Sequence, residues 1–82
     1  MHAAEARNRA LKADRIATGL APLQGRYPWL TTTHLADALP AERAAYARLA
    51  GCEPPSDETW DLVIGVLRQR ENPPADPFAG VA

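Results

Sequence analysis

Apolar positions are densest over residues 56–71, where Trp60, Leu62, Val63, Ile64, Val66 and Leu67 alternate with charged and polar side chains. At about 100° per residue these six cover an arc of about 200° on a helix, roughly twice the stripe an ordinary surface helix buries. Ser56 is placed to cap the helix, with Asp57 and Glu58 in the first turn and Arg68 and Arg70 in the last, as the helix dipole favours. A helix so patterned touches protein on two sides. Either it is the central post of a bundle or one side of it meets another molecule.

A second stripe, Ala6, Ala10, Ala13, Ala17 and Leu20, predicts a first helix over 3–19, with Ile16 at its edge. Built of alanine, it buries little area but lets another helix come close. Gly19 and Pro22 are stop signals for it. Residues 20–30 hold two prolines and a glycine and read as an ordered loop, whose Tyr27, Trp29 and Leu30 are expected to fold back over the last helix. Thr31, Thr32 and Thr33 offer caps for a short helix over 32–39. Pro40 disfavours helical geometry at Leu39 and suits the first turn of a helix over 41–50, which Gly51 stops. Glu53, Pro54 and Pro55 make a stiff link into the capped helix, and Pro73, Pro74 and Pro77 give an extended tail over 72–82. The expected architecture is all-α, a small bundle of about four helices in one domain (1–71) followed by that tail.

Eighty-two residues are near the size at which folding buries only about 60% of the unfolded chain's surface. Large apolar side chains are scarce, so the core is thin, and such domains are often completed by a partner or by self-association. The formal charge of −1 is uneven. Residues 1–30 carry five basic against two acidic side chains, +3, and residues 31–82 carry four against eight, −4. A basic front and an acidic back can orient a partner. No apolar run approaches a signal-peptide core or a membrane span, which points to a soluble cytoplasmic protein. The abundance of Ala, Arg and Pro points to a bacterial or bacteriophage genome.

Catalytic chemistry finds little support. His2 and His34 are far apart, with His34 in a capping or solvent-facing position, and the single cysteine, Cys52, follows a helix stop as a small half-buried hydrophobe. There is no phosphate loop, HExxH helix, paired CxxC or EF-hand spacing. The expectation is a non-enzyme with no cofactor, no metal and no small-molecule substrate.

Residues 32–49 resemble the helix-turn-helix family of DNA-binding motifs, with Leu35, Ala36, Leu39, Ala41, Tyr46 and Leu49 at the motif's packing offsets. The resemblance implies a dimeric transcriptional regulator in which Arg43 and Arg48 contact DNA and Arg9, Lys12 and Arg15 hold phosphates. Pro40 stands where the motif usually has a left-handed glycine, and the chain is slightly acidic where DNA binders are basic. The remaining features favour a protein-interaction module: an adaptor, inhibitor or assembly component whose partner is another protein or a second copy of itself. Its candidate contacts are Tyr27, Trp29, Trp60 and, in the tail, Phe78, residue types that dominate interface energies.

Overall fold

The computed structural model describes residues 2–71, with side chains from residue 4 onward. The expected tail over 72–82, with Phe78, and the side chain of His2 lie outside the described residues. Four helices are formed, α1 (His2–Arg26), α2 (Thr32–Ala36), α3 (Pro40–Leu49) and α4 (Asp57–Glu71), and among the described residues there is no strand. The chain is an all-α bundle.

α4 is the central post. Trp60, Val63, Ile64 and Leu67 are buried, and Val66 is half-buried against the same core. Ala13, Ile16, Ala17 and Leu20 of α1 face them on one side, and Leu30 and Leu35 on the other. Only Leu62 of the wide apolar arc is left exposed. The start of α4 is held as its pattern requires, with the Ser56 hydroxyl oxygen accepting from the Thr59 N–H at 3.2 Å.

α1 and α4 run side by side in the same direction. Arg9 pairs with Glu58 at 3.1 Å near one end, and farther along both helices Arg70 donates to Asp14 at 2.8 Å and to Thr18 at 3.0 Å. At the far ends Gln24 donates to the Thr32 hydroxyl at 3.2 Å, and Thr32 donates to the Glu71 carboxylate.

The first helix does not stop at Gly19. It continues through Gly19 and Pro22 to Arg26, so residues 20–26 are helical rather than loop. Pro22 lacks the N–H that would reach the Thr18 carbonyl. The burial of Leu20 and the packing of Leu23 against the core hold the turn together in spite of that lost bond. Gly19 is there for proximity: a Cβ on it would lie 2.8 Å from the Ala50 carbonyl oxygen, where the end of α3 crosses α1.

α2 ends at Ala36, three residues earlier than the threonine caps and Pro40 indicate, because the turn closes at once. Asp37 N–H donates to Thr33 O and Ala38 N–H to Leu35 O, after which Leu39 is extended (φ −70°, ψ 158°) ahead of Pro40. Pro40 is the first residue of α3, and Glu42 accepts from the Leu39 N–H at 3.1 Å. α3 closes in a Schellman arrangement: Cys52 N–H donates to Ala47 O and Gly51 N–H to Arg48 O, each at 2.9 Å. Gly51 supplies the positive φ of 81° that this closure needs.

Two helical glycines test this packing with opposite signs. Gly65, exposed on α4, has nothing within 4 Å of an added Cβ, so Gly65→Ala should raise stability by about 1 kcal/mol through helix preference alone. Gly19→Ala gains the same preference but must push a backbone carbonyl aside, an overpacking cost of about 1–3 kcal/mol. Urea unfolding should therefore place the midpoint of Gly65→Ala above the parent and that of Gly19→Ala below it. Equal midpoints for the two variants would contradict the close approach of α3 to α1.

Candidate interaction surface

Residues 27–34 leave α1, turn at Pro28 and Trp29 and enter α2. Tyr27 N–H donates to Leu23 O and Leu30 N–H to Tyr27 O, each at 2.8 Å, which fixes the turn by main-chain bonds. Its side chains divide. Leu30 points into the core at 2% exposure, whereas Trp29 is 58% exposed and Tyr27 39%. The expectation that all three fold over α4 therefore holds for Leu30 only. In so short a turn neighbouring side chains face opposite ways, and the core takes the aliphatic one.

The exposed rings are organised. Tyr27 and Trp29 lie 5.9 Å apart between centroids, and the His34 ring meets Trp29 edge-on at 5.3 Å. His34 in turn meets the Tyr46 ring at 6.3 Å, and its Nε2 is 3.2 Å from the Tyr46 hydroxyl. Edge-on and tilted aromatic pairs in this range attract through their quadrupoles, about 0.5–1.5 kcal/mol each beyond burial. α2 is anchored beneath the row, since Thr31 Oγ1 accepts from the His34 N–H at 3.1 Å. Three separate segments, the turn, α2 and α3, thus supply one continuous surface of four rings.

Sequence reasoning found two members, Tyr27 and Trp29, and missed His34 and Tyr46. His34 read as a capping-turn residue and Tyr46 as a packing residue of the two-helix corner. Their partnership joins residues on different helices, and no local spacing announces it. Trp60 is corrected: it is 1% exposed, at the centre of the core, with its indole N–H donating to the Leu35 carbonyl at 3.0 Å. It is closed to any partner of the folded chain and acts by holding α2 in place. Phe78 is outside the described residues.

The five basic candidates are scattered and partly committed. Arg43 Nε donates to the Ala38 carbonyl at 2.8 Å and its guanidinium pairs with Asp57 at 3.2 Å, leaving the side chain 24% exposed. It ties the α2–α3 corner to the start of α4. Arg9 is paired with Glu58. Lys12 and Arg15, with Asn8, Leu11 and Glu53, line an open cleft of about 470 Å³ beside Gly51 and Cys52, and Arg48 is exposed on α3. Of the corner's six packing positions, Leu35 is buried and Ala36 and Tyr46 are half-buried, while Leu39, Ala41 and Leu49 are exposed. Among the described residues no group of three His, Cys, Asp or Glu side chains is placed to hold a metal ion, and no helix is long and apolar enough to cross a membrane.

Neighbouring residues of the turn should differ sharply in their effect on stability. Trp29→Ala, which loses its two ring contacts and no core packing, should cost about 1 kcal/mol, and Leu30→Ala should cost about 2–5 kcal/mol. Urea titrations of the two variants measure both values, and a loss for Trp29→Ala as large as that for Leu30→Ala would show that Trp29 belongs to the core. Comparison of the chain with protein-family models, curated proteins and solved structures finds no match.

Proposed function

We propose that the chain is a small non-enzymatic protein-interaction module, an adaptor, inhibitor or assembly component, that works by burying the surface made by Tyr27, Trp29, His34 and Tyr46 against another protein. The observation that carries this reading is Trp29, an indole more than half exposed and braced on both sides by other rings. A large aromatic in water is costly to leave exposed, and a braced one loses little side-chain entropy when a partner covers it. Tyr and Trp are also the residues on which interface energies concentrate. The setting that fits the composition is the bacterial or phage cytoplasm, with the uneven charge orienting the two proteins.

The helix-turn-helix reading receives less support from the geometry. Arg43, one of its two base-contacting candidates, is spent on Ala38 and Asp57, and Arg9 on Glu58.

The two readings part in one set of binding measurements. Trp29→Ala should weaken a purified protein complex about thirtyfold or more, the scale of a hot spot near 2 kcal/mol, and Arg48→Ala should leave it unchanged. Mixed-sequence duplex DNA should not bind even at low salt. Unchanged affinity of Trp29→Ala for its partner would overturn the interaction-surface reading. Duplex binding that falls steeply with salt and is lost in Arg48→Ala would replace it with DNA recognition.

A further inference from the structure

α4 keeps one face outside the core. Leu62, 41% exposed, is the one member of its apolar arc left there, and an added Cβ on Gly65 would meet nothing within 4 Å. Beside them a groove of about 230 Å³ runs between α1 and α4, lined mostly by small and apolar side chains, Ala10, Ala13, Leu62, Gly65 and Val66. Two opposite charges flank this face. Asp61 and Arg68 are exposed, and among the described residues neither belongs to an ion pair, whereas Glu58 and Arg70 on the same helix are both paired to α1. Asp61 lies beyond the first turn of α4, so the helix dipole does not account for it. Seven residues apart, Asp61 and Arg68 project within about 20° of one another and lie about 10.5 Å apart along the axis, with Gly65 between them.

We propose that this face of α4 binds a second copy of the chain, the two α4 helices packing antiparallel about a two-fold axis at residues 64–65. In that register Asp61 of each copy stands opposite Arg68 of the other, because the two lie about 5 Å to either side of the crossing point. The contact is isologous, so one complementary pairing forms twice. A parallel alignment would set Asp61 against Asp61 and Arg68 against Arg68, so the charges also fix the direction.

The uncharged positions suit the same register. Gly65 falls at the crossing point and puts no side chain between the two backbones. Leu62 of each copy falls between positions 66 and 69 of the other, over the groove that runs beside α1, and so gains the apolar cover it lacks within one chain. Small and apolar groups thus meet at the centre and charges at the rim, the usual arrangement of a protein contact. The inference goes beyond the aromatic surface and uses none of its residues.

Sedimentation velocity on the full-length chain, at low salt and from micromolar to millimolar concentration, tests it. The parent should become dimeric across this range. Asp61→Arg and Arg68→Asp should each raise the dissociation constant about tenfold or more, since each places two like-charge pairs in the contact. Both substitutions in one chain reverse both charges and should return the parent value. An equimolar mixture of the two single variants should dimerise more tightly than either variant alone, because only the mixed pair is complementary. A parent that stays monomeric at millimolar concentration would overturn the proposal. So would a dimer whose affinity the single reversals leave unchanged. Losses in the single variants that neither the double reversal nor the mixture repairs would also overturn it, since damage to α4 itself gives that result.

Discussion

The bundle depends on where the Trp60 indole goes. Its ring fills the centre of a core otherwise made of alanine and modest aliphatics, and its N–H reaches the Leu35 carbonyl on α2. A buried N–H left without an acceptor costs about 1–3 kcal/mol, so the ring can occupy the core only where a carbonyl is waiting. α2 is a helix of five residues and could not persist alone, since isolated helices of that length do not form in water. Trp60 holds it by packing and hydrogen bond together, with Leu35 buried beside the ring.

That constraint passes outward to the surface. With Leu35 fixed, Thr32 is fixed one turn earlier, where it is bonded to Gln24 and Glu71, and His34 is fixed on the opposite side of the same short helix. His34 then positions Trp29 on one side and Tyr46 on the other. The exposed rings are therefore the outer layer of an arrangement whose inner layer is Trp60. The same arrangement accounts for Arg43, whose bonds to Ala38 and Asp57 keep the α2–α3 corner against the first turn of α4. Close approach of α1 to its neighbours, permitted by Ala13, Ala17 and Gly19, completes a small core that large side chains alone would not fill.

Much of this was legible in the residues. The 3.6-residue pattern placed α4, its Ser56 cap and its two-sided burial, and the local stop signals placed α3 and Gly51. Those features depend on neighbours in the chain. The extension of α1 through Pro22 and the early end of α2 depend instead on contacts made across the bundle, which outweigh local preference. The site was half legible for the same reason. Tyr27 and Trp29 stand out as aromatics in a proline-bearing turn, but His34 meets Trp29 only once the turn has folded against α2, and Tyr46 joins through His34 from another helix. Trp60 was misplaced because an aromatic residue type alone does not distinguish a core anchor from a surface one.

The most direct test of the account is hydrogen exchange at the two indole N–H groups of the intact chain. The Trp60 N–H should exchange as slowly as the best-protected amides of α4, because releasing it from Leu35 requires opening the core, while the Trp29 N–H should exchange many times faster. Fast exchange at Trp60, matching that at Trp29, would contradict the claim that this one buried indole holds α2 and, through it, the aromatic surface.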